Sequence, residues 1–311
     1  MTEETGWERK IIEKLALEAL AEQRRARRWG IFFKLLGFAY LTVFLAALID
    51  WEGLDPEKSA RHTALVELTG VIQAKGDANA DDVVSALQAA FKDKGTAGVI
   101  LRINSPGGSP VQAGIIADEI VRLRSKYPDK PIYAVVEDIC ASGGYYVAAV
   151  ADKIYVDKAS IVGSIGVLLD GFGFTGTLDK LGIERRLLTA GEHKGFLDPF
   201  SPQNARHKEH AQSMLDDIHR QFIEVVKKGR GSRLKETPEM FSGLMWTGAK
   251  SVELGLADGF GTVDSVAREV IQAEEIRDYT IKPNFAEKFA RRFGAGAASA
   301  LTAALERFSL R

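Results

Sequence analysis

Short β-branched runs alternate with helical stretches from residue 64 to residue 228, and this alternation limits the fold more than any other feature of the chain. Strands are expected at residues 64–73, 97–103, 131–136, 153–156 and 184–188, and helices at 80–92, 111–127, 175–181 and 203–228. Such a pattern predicts an α/β fold, a mostly parallel sheet wrapped by helices, with ligands bound at the carboxyl ends of the strands. Two glycine-rich loops, Asn104 to Pro110 and Ala141 to Gly144, each follow a strand and precede a helix. Both therefore belong at that one end of the sheet.

The second loop lies within Cys140-Ala141-Ser142-Gly143-Gly144-Tyr145-Tyr146. A serine among small residues at a strand-to-helix junction can hold its hydroxyl clear as a nucleophile, with the next backbone N–H aimed at the atom attacked. The same residues also suit a tight turn with Ser142 as a helix N-cap. A nucleophilic serine needs a base, and His193 and Lys194 are adjacent candidates. A free lysine, with a pKa of about 10.4, is neutral in only about one molecule in 2500 at pH 7. Desolvation can lower that pKa by up to about 3–5 units, and Phe196, Leu197, Pro199 and Phe200 are consistent with an apolar pocket. A serine–histidine pair would want an orienting carboxylate, for which Glu192, Asp198 and Asp170 are at hand. Spacing leaves both bases open.

Composition removes several other classes. The formal net charge of -1 gives no reason to expect nucleic acid as a partner. Cys140 is the only cysteine, which excludes an internal disulfide and a thiolate metal cluster, and next to a strand end it reads as packing. None of the five histidines falls in a zinc-peptidase pattern; His207 and His210 could share a helix face, but Lys208 and Glu209 between them suggest a solvated surface. Neither glycine loop matches a phosphate-binding fingerprint.

Ile31 to Ile49 is an apolar run broken only by Lys34, so residues 29–50 are expected to form a transmembrane anchor. Arg24, Arg25, Arg27 and Arg28 precede it, and Asp50, Glu52, Asp55 and Glu57 follow. The positive-inside rule then puts residues 1–28 in the cytoplasm as a partly amphipathic arm, and everything after the anchor outside. Residues 51–63 read as a linker and 64–284 as the catalytic-domain candidate. Residues 285–311 read as a tail with an amphipathic helix through Leu301, Ala304, Leu305 and Phe308.

Several motifs occur in order: Asn104-Ser105-Pro106-Gly107-Gly108, the Ser142 loop, Ile161-Val162-Gly163-Ser164-Ile165-Gly166-Val167, Gly191 to Lys194, Trp246-Thr247-Gly248 and Leu254-Gly255-Leu256-Ala257-Asp258. Over residues 64–266 the chain resembles the signal peptide peptidase A family in its short bacterial form, although Leu244 and Met245 stand where that family often has a basic residue. The resemblance implies a ClpP/crotonase-like core and a membrane-anchored serine endopeptidase of the bacterial cytoplasmic membrane, working without a cofactor. It implies Ser142 as nucleophile, Lys194 as general base and Ser164 as the hydroxyl that orients the lysine. The Gly143 N–H, with one from Gly107 or Gly108, would form the oxyanion hole. It further implies a ring-shaped homo-oligomer with serine and lysine from different subunits, set against membrane lipid, and remnant signal peptides or other apolar peptides as substrates. A related protease acting on other membrane proteins, an acyl-CoA-binding crotonase relative and a scaffold without chemistry are the rival readings.

Overall fold

The computed structural model describes residues 5–48 and 60–282. Two compact units divide at residue 58. The first contains the helix α1 (Thr5–Leu48). Along it, every large apolar side chain from Trp29 to Val43 is more than half exposed. The expected anchor is thus helical as far as Leu48, while its last two residues, most of the linker and the C-terminal tail lie outside the described residues. Among the described residues no helix is long and apolar enough to cross a membrane.

The second unit begins β1 (His62–Thr69), α2 (Ala80–Lys92), β2 (Thr96–Ser105), α3 (Pro110–Lys126), β3 (Ile132–Ala141), α4 (Gly143–Ala148), β4 (Lys153–Val156), β5 (Ile161–Gly163). It continues α5 (Thr175–Lys180), α6 (Ala205–Arg230), β6 (Met245–Thr247), α7 (Gly248–Glu253), β7 (Gly259–Phe260), α8 (Val263–Ser265), a π-helical turn Val266–Ile271 and β8 (Ile276–Asp278). The strands form one sheet in the order β6-β5-β3-β2-β1-β8, with β4 also pairing with β3 and β7 pairing with β4. Every described pairing is parallel except β5 with β6.

Alternation along the strands builds the core. Val66, Leu68, Leu101, Ile103, Ala134 and Val136 face α2, α3, α4 and α6. Leu65, Ile100 and Val135 face the opposite way, onto Val266, Ala267 and Ile271. Each side chain on the first face is within 3 % of full burial, and burying one such aliphatic side chain stabilises the fold by about 1.5–3 kcal/mol.

The helices start where the sequence supplies caps. Asn79 accepts the Asp82 N–H at 2.9 Å, and Ser109 caps α3 with Pro110 as its first residue.

Two elements depart from the sequence reading. β3 was expected to stop at Val136 but runs to Ala141, because it exchanges partners: Tyr133–Val135 pair with β4, and Ile139–Ala141 pair with β5. The expected strand at 184–188 does not form, since none of the described strands pairs with it and a strand needs a ladder to satisfy its backbone. From Leu168 to Lys194 nearly every side chain is exposed, including Phe172 at 79% and Leu188 at 96%.

Candidate active site

The carboxyl ends of β2, β3 and β5 meet at three turns. Ala141 pairs with Gly163 in register, so Ser142 and Ser164 follow neighbouring positions on adjacent strands. Both serines have left-handed backbone, φ 51 and φ 53. The Ser142 N–H donates to the Gly163 carbonyl at 2.9 Å, and the Ser164 N–H to the Leu244 carbonyl at 2.8 Å. Ser142 precedes α4 at the N-cap position, yet its side chain makes no cap hydrogen bond. Ser142 is half-buried at the head of the helix.

The Gly107-Gly108 loop is pressed against this turn. A Cβ on Gly107 would lie 2.6 Å from the Gly143 nitrogen and 2.7 Å from the Ser142 Cβ; one on Gly143 would lie 3.3 Å from the Gly108 nitrogen. Ile72 holds the loop from behind, donating to the Gly107 carbonyl at 2.8 Å and accepting from the Ser109 N–H at 2.8 Å. In a parallel bridge of that kind the middle residue points its own N–H away from the bridge. The Gly108 and Gly143 N–H groups have no acceptor among the described residues, whereas the Gly107 N–H donates to Ser105 Oγ at 3.1 Å. Of the two expected loop donors, Gly107 is therefore occupied and Gly108 is open. Ser105, buried and donating to the Gly70 carbonyl at 2.7 Å, is a residue the sequence reading passed over although it lies inside the quoted motif.

Cys140 is fully buried beneath Ser142, and burial pushes its thiol far above the ordinary range, so it stays protonated and packs. Tyr145, three residues past Ser142, is also fully buried and donates to the Leu256 carbonyl at 2.8 Å, tying α4 to the segment before Asp258. Burial pushes Asp258 up, but hydrogen bonds and charge from Arg230, the Ile154 N–H and the charge of Arg233 outweigh it and hold the carboxyl below its ordinary range.

Lys194 makes no contact of this kind. It lies exposed in the turn 191–199, bonded through its backbone N–H to the Gly191 carbonyl at 3.1 Å, and no hydrogen bond joins it to Ser142 or Ser164. His193 faces His207 at 3.2 Å instead of Ser142. Among the described residues, one chain brings together Ser142, Gly143, Gly108 and Ser164, with no hydrogen bond from Lys194 to either serine.

The pattern of peptidase family S49 matches residues 124–277. A candidate protease of Synechocystis, slr0021, is 33% identical over 64% of this chain and 69% of its own length. The chain belongs to peptidase family S49. A candidate signal peptide peptidase SppA of Enterococcus faecium is 29% identical over 75% of this S49 peptidase and 70% of that relative. A Brucella melitensis protein named Na(+)/H(+) antiporter NhaA is 42% identical over 65% of the chain, which spans only 27% of that protein's length. S49 members are serine peptidases, and within the matched stretch Ser142 is a half-buried serine without a cap hydrogen bond, beside two backbone donors that have no acceptor among the described residues.

Proposed function

We propose that this S49 peptidase is a membrane-anchored endopeptidase that cleaves apolar peptides, remnant signal peptides among them, through a Ser142–Lys194 dyad on a ClpP/crotonase-like core. The observation that carries the reading is the Ser142 turn, where a serine that makes no cap hydrogen bond lies beside the Gly143 and Gly108 N–H groups, which have no acceptor among the described residues. Neutral Lys194 takes the Ser142 proton as Oγ bonds to the scissile carbonyl carbon. Gly143 and Gly108 donate to the oxygen as it gains charge, the kind of preorganised stabilisation that typically contributes most to the rate. Collapse of the tetrahedral adduct breaks the C–N bond, and Lys194 returns the proton to the leaving amine. Water, deprotonated by the same amine, then opens the ester and restores Ser142. Ser164 serves as the hydroxyl that orients the amine.

In a single chain Lys194 is exposed. A solvated ammonium is a poor base at neutral pH, so the dyad needs a second copy that buries Lys194 beside another chain's Ser142. The exposed apolar side chains of Leu168, Phe172 and Leu188 favour such a contact. The apolar surface of α1 from Trp29 to Val43, following Arg24 to Arg28, favours insertion of 29–50 with residues 1–28 in the cytoplasm. An anchor would hold the site near peptides left in the bilayer.

The test uses the full-length protein in detergent with a fluorogenic apolar peptide. Ser142→Ala and Lys194→Ala are each expected to abolish cleavage, and an equal mixture of the two to regain part of it. Activity in Lys194→Ala alone, or no recovery in co-assembled mixtures, would overturn the shared dyad. Retained acyl-CoA binding in a wild type that cleaves nothing would favour the crotonase-type reading.

A further inference from the structure

The turn that carries Lys194 meets α6 through a pair of imidazoles. His193 Nδ1 and His207 Nε2 are 3.2 Å apart, with ring planes at 82°. Asn204 fixes His207 by accepting the backbone N–H groups of Arg206 at 2.9 Å and His207 at 3.3 Å, which sets where α6 begins. On the other side of His193, its Nε2 lies 3.8 Å from Glu192 Oε2, while Glu192 Oε1 lies 3.4 Å from Arg206 Nη1. Phe196 packs against His207 at 5.3 Å and against His210 at 5.7 Å between ring centroids.

We propose that His193 and His207 form a two-imidazole site for a divalent transition-metal ion of the zinc class. Two nitrogens bound at about 2.0–2.1 Å to a tetrahedral ion stand about 3.3 Å apart. The observed 3.2 Å already has that span. In the metal-free chain one proton lies between the two nitrogens. For the ion to enter, that proton moves to the far nitrogen of whichever ring held it, so that both rings stay neutral and each turns a lone pair to the metal. For His193 the far nitrogen is Nε2, 3.8 Å from Glu192 Oε2, which is beyond a direct hydrogen bond but near enough for the carboxylate's charge to favour a proton there.

Among the described residues no three His, Cys, Asp or Glu side chains converge on one point, so water completes the coordination sphere. His210 stays outside it, in an edge-on contact with the Phe196 ring. Sequence spacing suggests His207 with His210 on one helix face; folding pairs His207 with His193 across a turn. Because Lys194 follows His193 directly, a bridging ion would fix the turn on α6.

Zinc and cobalt titrations of the untagged full-length protein in detergent, read by calorimetry and by the visible absorption of tetrahedral cobalt, test the site independently of peptidase activity. About one ion per chain is expected near pH 7.5. His193→Gln and His207→Gln should each weaken binding at least about tenfold, and Glu192→Gln about tenfold. His210→Gln should leave it unchanged. All four side chains are at or near the surface, and unchanged circular dichroism and melting confirm that the variants fold. Absence of saturable binding at millimolar zinc, or equal binding in His193→Gln and His207→Gln, would overturn the site.

Discussion

Gly107→Ala tests whether the loop beside Ser142 takes part in the chemistry. The new Cβ would stand 2.6 Å from the Gly143 nitrogen, 2.7 Å from the Ser142 Cβ and 2.8 Å from the Ala141 carbonyl oxygen, three atoms of one turn. Reaching ordinary contact near 3.4 Å requires a retreat of about 0.8 Å. The backbone at φ 98 adds strain that glycine does not feel. Gly108 moves with the loop, so its N–H is drawn away from the Gly143 N–H by a similar distance. A misplacement of about 1 Å at a reacting centre costs about 10²-fold, and complete loss of one oxyanion donor about 10²–10³-fold. We therefore expect kcat to fall about 10²-fold, with KM little changed because the donors act on charge present only in the transition state. Overpacking should cost about 1–3 kcal/mol of stability, or several degrees of melting temperature at about 2–4 °C per kcal/mol for a domain of this size. The assay is steady-state cleavage of the apolar peptide at 25 °C, with phosphonylation of Ser142 by a fluorophosphonate as a second readout of the same oxyanion site. A folded variant that is clearly less stable yet keeps kcat within about threefold would refute the assignment of the loop to catalysis.

Gly114→Ala is the matched control, since nothing lies within 4 Å of its Cβ position in α3; it should raise stability by about 0.5–1 kcal/mol and leave kcat unchanged. Asp258→Asn should cost about 3–5 kcal/mol in a denaturant melt, because it leaves Arg230, 1% exposed and paired at 2.7 Å, as a buried charge without its carboxylate. The Asp258 pKa is depressed in the fold, so its contribution is present above the unfolded carboxylate value of about 3.9 and is lost as pH falls through the folded value. The gap between wild type and Asp258→Asn should accordingly narrow in melts below about pH 4, and a gap independent of pH would contradict the ion pair. Leu188→Asp changes a side chain that is 96% exposed, so monomer stability should move by no more than about 0.5 kcal/mol while sedimentation shifts to smaller species and cleavage is lost. Unchanged size and activity would remove the 168–194 segment from the subunit contact.

The parts legible in the sequence are those whose physics is local. From β1 to α3 the two-residue and 3.6-residue periods are clean, and the expected bounds agree within a few residues, β1 ending early where Gly70 turns at φ 93. β3 past Val136 is not legible, because Glu137 and Asp138 face solvent and break the apolar run while the ladder to β5 continues the strand. β5 to β8 are two or three residues long, too short for a period, and β8 pairs with β1 from more than two hundred residues away. At the site, small residues around Ser142 and the two adjacent glycines marked the turn and its facing loop. Which glycine offers a free N–H was not legible, since it turns on one hydrogen bond from Gly107 to Ser105 Oγ. Nor could spacing separate His193 from Lys194 as a base; folding turns His193 toward His207.

The competing account of Ser142, a helix cap on a tight turn, fails on backbone grounds. A capping serine sits in the β region and turns its hydroxyl onto the N–H two or three residues ahead. Ser142 has φ 51 and ψ -122 and makes no such bond. A non-glycine residue held in a sparsely populated region costs about 1–3 kcal/mol, and a cap would relieve that cost by relaxing to ordinary angles. Here the conformation is held from both sides, by the Ser142 N–H on the Gly163 carbonyl and by Gly107 packed against the Ser142 Cβ. Ser164 repeats the arrangement on the next strand, at φ 53, with its N–H held by the Leu244 carbonyl. Two adjacent parallel strands thus each end in a serine of positive φ at the carboxyl edge of the sheet. That duplication is what the proposed dyad calls for, a nucleophile beside a hydroxyl that orients an incoming amine.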